Sequence, residues 1–168
     1  MAIVLVEGDV EIATTLRHHQ QAGFVSIIVL MPDEFKLPID LQASVHRINY
    51  NMAIEGAMER AVNSIIAAAP RIWMFYCFNA EYLFHPFCET RSVGEMLSFH
   101  TEERRDTMLT YVVDLYSDDL DHDPDAVSLE RAHLDRSGYY ALARPDLDNH
   151  SHPKERLLDF FWRIALAL

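Results

Sequence analysis

The stretch that decides the fold is residues 1–31, MAIVLVEGDVEIATTLRHHQQAGFVSIIVLM. Residues 2–6, AIVLV, are apolar throughout and mostly β-branched, which predicts a strand buried on both faces, as in a parallel sheet. Glu7-Gly8-Asp9 then supplies a turn, and Asp9 is placed to cap a helix over 10–22. Ile12, Leu16 and His19 recur at helical spacing, and Gly23 stands where a glycine ends a helix. Residues 24–31, FVSIIVLM, predict a second buried strand. Strand, helix and strand within about 30 residues make a right-handed βαβ crossover.

The pattern continues outward. Pro32-Asp33-Glu34 ends strand two, and residues 35–43 around Pro38 read as a loop. Residues 45–50, VHRINY, predict a weaker third strand. A helix follows over 55–69, with Ala57, Met58, Ala61, Val62, Ile65 and Ile66 on its buried stripe and Pro70 as its stop. Residues 71–84, RIWMFYCFNAEYLF, predict an aromatic-rich strand interrupted at Asn79-Ala80-Glu81. A carboxylate there falls at the C-terminal end of a central strand, where open α/β sheets bind ligands. Ser92-Val93-Gly94-Glu95 matches the capping box S-x-x-E and opens a helix over 92–106. Residues 108–116, MLTYVVDLY, predict a further strand. Residues 117–126, SDDLDHDPDA, form an acidic loop, and 145–155 a polar one. The fold class is therefore α/β: a single domain over 1–168, three-layered, with a mostly parallel sheet flanked by helices. Residues 1–116 form its core; 117–168 hold the acidic loop and a C-terminal segment.

Composition narrows the function. The chain has 168 residues, half of them apolar, enough for one ordinary core. It carries 14 Lys+Arg against 26 Asp+Glu, a net charge of -12. Such a surface repels phosphate backbones, so nucleic acid is not expected as a partner. Small anionic ligands remain compatible with it, because local arginines such as Arg104 and Arg105 can hold a phosphate. No apolar run is long enough for a transmembrane segment, and the N-terminus lacks a basic leader. The expected location is cytoplasmic. Cys77 and Cys88 fit no zinc or redox spacing and read as reduced, buried apolar residues.

Several local patterns carry little chemistry. His18 and His19 are adjacent on a helix and point to different faces, so they do not chelate together. His150 and His152 lie in a polar loop and lack a third ligand. Asp121-His122-Asp123-Pro124-Asp125 resembles the start of a calcium loop, but Ala126 and Ala132 stand where glycine and glutamate are needed. Glycine-rich dinucleotide and Walker A fingerprints are absent, as is the nucleophile elbow of α/β-hydrolases. Glu7, Asp9 and Asp33 fall at adjacent strand ends, where such acids contact base or ribose hydroxyls.

The order of these segments resembles bacterial family 2 glycosyltransferase-like proteins. The likeness rests on an acid after strand one, the helix with TLRHH, then AGF before strand two. WMFYCFNAEYLFHPF (73–87) is similar to the family's tryptophan-led strand ending in D-x-D-E-F-L. EERRDTMLTYVVDLYSDDL looks like its following helix and strand, and DRSGYYAL fits one branch. The resemblance covers nearly the whole chain. It implies a GT-A fold and a nucleotide-sugar donor bound over the carboxyl ends of the strands, with a glycan or other acceptor. Glu7, Asp9 and Asp33 would hold the nucleoside; Asn79, Arg104 and Arg105 would lie by the diphosphate; Glu81 would ligate Mg2+ or Mn2+. In the family such a cation offsets leaving-group charge. Phe78 and Ala80 occupy the positions of the two aspartates, so the D-x-D is degenerate. Asp114 and Asp135 are nominated as catalytic base. The alternative expectation is a non-catalytic or truncated module that binds a nucleotide-sugar or a partner protein. The apolar tail around Phe160, Phe161 and Trp162 completes the core or supports a homo-oligomer.

Overall fold

A computed structural model describes residues 1–125 and 128–134, together with the backbone of three short strands beyond them. Two compact units are present: Met1–Met108 with Ile164–Leu168, and Leu109–Arg163.

The first unit is built on four parallel strands. β1 (Ala2–Leu5), β2 (Ile27–Met31), β3 (His46–Asn49) and β4 (Phe75–Phe78) lie in the order β3-β2-β1-β4. β1 pairs with β2 from Ala2↔Ile27 to Leu5↔Leu30, and with β4 from Ala2↔Phe75 to Leu5↔Phe78. Every residue of β1 is buried, as a central strand covered on both faces requires. Four helices accompany the sheet: α1 (Ile12–Gln21), α2 (Ile39–Gln42), α3 (Ala57–Ala68) and α4 (Val93–Glu102).

Side-chain alternation sorts the core into two layers. Ala2, Val4, Val6, Val29, Met31 and Cys77 pack on one face with Ile12 and Leu16 of α1, Leu41 of α2 and Met96 and Leu97 of α4. Ile3, Leu5 and Leu30 pack on the other face with Ala61 and Val62 of α3. The architecture is therefore helix, parallel sheet, helix. Beyond the sheet, β5 (Thr107–Tyr111) pairs with β10 (Trp162–Leu166), β6 (Leu115–Tyr116) with β7 (His133–Leu134), and β8 (Arg144–Pro145) with β9 (Pro153–Lys154). Among the described residues, no helix is long and apolar enough to cross a membrane.

Several expected elements differ in detail. Asp9 does not cap α1. The helix begins two residues later behind Glu11, whose φ of 55° is left-handed and which makes no side-chain cap. The Thr14 and Thr15 hydroxyls bond the Glu11 carbonyl instead. Part of the expected 35–43 loop is the single turn α2, which seats Leu41 in the core. The aromatic strand is only four residues long. Arg71 has left-handed φ before it, and a turn closes from the Phe78 carbonyl to the Glu81 amide after it. The strand expected over 108–116 is two strands, β5 and β6, separated by Val112–Asp114.

Two expectations stand. The capping box opens α4 as written: Ser92 accepts from the Glu95 amide, and the Glu95 carboxylate accepts from the Ser92 amide. Those Ser92 donors hold the Glu95 carboxyl below the ordinary carboxylate range. Gly23 ends α1 with φ +93°, and a Cβ there would meet the Ser92 Cβ at 2.9 Å. The position therefore needs glycine both for its backbone angle and for the close approach of α4.

Candidate active site at the carboxyl edge of the sheet

Strand order places the candidate site. β1 is followed by a connection to β2 on one side, while β4 joins on its other side, so the order reverses between β1 and β4. Outside the carboxyl ends of strands at such a point, α/β sheets form their ligand crevice. Here the two segments that flank it are Val6–Glu11 after β1 and Asn79–Tyr82 after β4.

Asn79 joins them. Its Oδ1 accepts from the Glu7 amide at 3.1 Å, and its Nδ2 donates to the Gly8 carbonyl at 3.2 Å and the Val10 carbonyl at 2.8 Å. One amide side chain thus satisfies three backbone groups of the β1–α1 turn. Ala80 is left-handed, with φ 63°, and its amide donates to the Thr15 hydroxyl at 2.9 Å. Glu81 turns back on its own strand, where its Oε2 accepts from the Phe78 amide at 2.7 Å. Gly8 faces open space at the mouth of the turn.

The strap that follows β4 is fastened to α1 by side chains. Tyr82 Oη and Thr14 Oγ1 are 2.9 Å apart, and Thr14 also bonds the Glu11 carboxylate. Burial raises the Tyr82 phenol above its ordinary range, so it stays protonated and available as a donor. His18 Nε2 donates to the Leu83 carbonyl at 2.8 Å. Beneath this surface, His19 is fully buried. Its Nδ1 donates to the Thr15 carbonyl at 2.7 Å, and its Nε2 lies 3.7 Å from the Cys77 sulfur. Burial pushes its pKa down to about 4, against the opposing pull of the Thr15 carbonyl. A neutral, sequestered imidazole of this kind is core architecture. Cys77 is buried and Cys88 half-buried, and neither is in a disulfide.

At the β2 end, Asp33 is held between two residues of β3. Arg47 reaches its carboxylate at 3.3 Å, and the Asn49 amide donates to its other oxygen. The same guanidinium bonds the Pro32 and Phe35 carbonyls, which fixes the turn. No motif marks Arg47 or Asn49 in the sequence. The available signal was that β3, read as HRIN, must present them at the level where β2 ends.

The expected site residues therefore divide. Glu7, Asp9 and Asp33 are exposed at the carboxyl edge, and Asn79 and Glu81 lie there as half-buried groups. Arg104 and Arg105 do not join them. The start of α4 is tied to the turn before β2, through the Val93 amide and the Ala22 carbonyl at 2.8 Å. Its end is tied to the segment before β4, through Trp73 Nε1 and Thr101 Oγ1 at 3.1 Å. Both anchors precede strands, so α4 and the arginines after it follow the amino edge. Asp114 is exposed in the second unit, and Asp135 lies outside the described residues.

A divalent cation bridging a diphosphate needs oxygen ligands that converge. Glu81 is directed at the Phe78 amide and Asn79 at the β1–α1 backbone, and neither Phe78 nor Ala80 offers an oxygen-bearing side chain. These residues do not fit a metal clamp. Among the described residues, no group of three or more His, Cys, Asp or Glu is arranged to hold a metal ion. The acidic segment after β6 is likewise committed internally: Asp123 accepts from Ser117 at 2.6 Å and pairs with Arg131 at 2.6 Å, and these donors hold its carboxyl below the usual range. His150, His152, Phe160 and Phe161 lie outside the described residues.

Compared with known proteins, the chain matches no family model, no curated protein and no solved structure.

Proposed function

We propose that the chain is a GT-A-like, family 2 glycosyltransferase-like module that binds a nucleotide-sugar at the carboxyl edge of its parallel sheet, and that it binds the donor without a bridging metal. The observation that carries this reading is the strand order β3-β2-β1-β4, with exposed Glu7, Asp9 and Asp33 along the edge where that order reverses. Carboxylates so placed suit ribose and base hydroxyls, to which they offer charge-assisted acceptors. Arg47 and Asn49 hold the Asp33 carboxylate in place, which lowers the cost of ordering it on binding. The internal bonding of Asn79 and Glu81 favours binding over metal-assisted transfer.

A thermal-shift series with UDP- and GDP-sugars tests the reading. A donor at about a hundred times its Kd stabilises the folded state by roughly 2.7 kcal/mol. The expected result is a rise of several degrees for at least one donor, equal in Mn2+ and in EDTA. Metal-dependent hydrolysis or transfer of the donor would replace binding with enzymatic turnover. No shift with any donor would overturn the reading.

A further inference from the structure

The strap after β4 is arranged against its own polarity. From Asn79 to Arg91 the chain contains no helix or strand, and structureless connections of that length are uncommon unless they have a function. Leu83 and His85 are buried, while Phe84 and Phe87 are 73% and 70% exposed. A polar ring is therefore turned in, and two apolar rings are turned out. The His85 ring is also left incomplete inside. Its Nδ1 donates to the Pro86 carbonyl at 3.1 Å, and its Nε2 is the one buried side-chain nitrogen or oxygen among the described residues without a hydrogen-bond partner. A buried acceptor left unpaired disfavours the closed arrangement by its full desolvation cost.

Two left-handed residues bracket this stretch, Ala80 with φ 63° and Phe87 with φ 65°. For a residue as bulky as phenylalanine that backbone region is an outlier. Both brackets are pinned. The Ala80 amide donates to the Thr15 hydroxyl at 2.9 Å, and the Phe87 carbonyl accepts from the Thr90 and Arg91 amides at 3.0 and 2.8 Å. Between them, side chains of α1 fasten the strap at two neighbouring points: Thr14 Oγ1 meets Tyr82 Oη at 2.9 Å, and His18 Nε2 bonds the Leu83 carbonyl at 2.8 Å. Leu83 also lines an apolar cavity of about 10 Å³ with Phe24, Trp73, Phe75, Met96 and Leu97. It is the strap's plug in the space between β4 and α4.

We propose that residues 81–86 form a hinged latch that opens without unfolding of the sheet, turning at Ala80 and Phe87 and lifting Leu83 from the cavity. Hinges are a few loop positions that absorb a change in φ and ψ, and a left-handed phenylalanine regains energy by leaving that region. Opening also hands the His85 imidazole to water, which supplies the donor that Nε2 lacks. Against these gains stand the burial of Leu83 and the two bonds to α1. All of these terms are local to the strap. Its opening therefore belongs to the low end of the molecule's range of stabilities, from which lids are drawn. The open latch uncovers an apolar cleft between β4 and α4.

Native-state amide exchange followed by NMR tests the latch at Cys88, whose amide donates to the His85 carbonyl at 3.0 Å and is freed when His85 moves. The expected result is exchange at Cys88 roughly a hundredfold faster than in β1, at a rate that low urea does not change, as a local opening requires. His85→Leu removes the unpaired nitrogen and should slow that exchange about tenfold, while Tyr82→Phe removes the bond to Thr14 and should speed it about tenfold. The Thr90 and Arg91 amides lie beyond the second hinge and should keep their wild-type rates in both variants. Fluorescence of the apolar dye ANS reads the uncovered cleft, and should be higher in Tyr82→Phe and lower in His85→Leu. Cys88 exchange that rises with urea in step with β1 would overturn the latch, as would a His85→Leu variant that exchanges as fast as wild type or faster. Equal changes at Cys88, Thr90 and Arg91 would also overturn it, because the connection would then loosen as a whole rather than between hinges.

Discussion

The two edges of the parallel sheet are finished differently. At the amino edge, α4 starts with a complete capping box and seats Ser92 against Gly23, whose φ of +93° suits a glycine. At the carboxyl edge, α1 starts without a side-chain cap behind a left-handed glutamate, and β4 ends in a left-handed alanine. Left-handed residues also stand at the amino edge, at Arg71 before β4 and Arg104 after α4, so what separates the edges is how each helix begins: α4 with a full side-chain cap and α1 with none. The difference teaches that the β1–α1 turn is held by tertiary bonds from Asn79 rather than by a local cap, and it can be broken or sharpened by experiment.

The largest expected effect lies in the core between the edges. His19 is neutral when folded, with a pKa near 4, but titrates near 6.5 when unfolded. Below 6.5 the unfolded state takes up a proton that the folded state refuses. Stability is therefore complete above about pH 6.5 and falls as the pH drops toward 4, by about 3 kcal/mol in all. Urea unfolding across that window should show the loss, and His19→Leu should flatten it. A wild-type profile as flat as the variant's would contradict the burial argument.

The next effect is at the carboxyl edge. Asn79→Ala removes three hydrogen bonds to the β1–α1 turn and leaves the Val10 and Gly8 carbonyls to water. The expected cost is about 2 kcal/mol, with donor binding lost as the turn loosens. A variant with unchanged stability would show that Asn79 does not hold the crevice together.

The smallest effects bear on the contrast itself. Ser92→Ala should cost about 1 kcal/mol, as for other lost N-caps, with no change in ligand binding. Ala80→Gly should do the opposite, relieving the left-handed strain and stabilising the chain by about 1 kcal/mol. Opposite signs at the two edges sharpen the comparison; equal signs break it. Denaturant midpoints read both.

Much of the frame was legible. The β1 run AIVLV, the βαβ unit and the S-x-x-E box are local patterns, and each maps to what is seen. The end of β4 at Asn79 could also be placed, because a polar residue after FYCF marks the strand's exit. What was not legible depends on tertiary partners. Nothing around Asp9 announces that Asn79, about 70 residues away, satisfies the β1–α1 turn in its place. The pairing of Asp33 with Arg47 and Asn49 requires the β2–β3 register. Arg104 and Arg105 form a basic pair in sequence, but the course of α4 from Ala22 to Trp73 carries them along the amino edge.

The most direct test of the nucleotide reading is amide hydrogen exchange with and without a saturating UDP- or GDP-sugar. The predicted result is protection confined to residues 7–11, 32–35 and 79–82, equal in Mn2+ and EDTA. Protection centred on residues 22–24 and 92–105, or none at all, would contradict it.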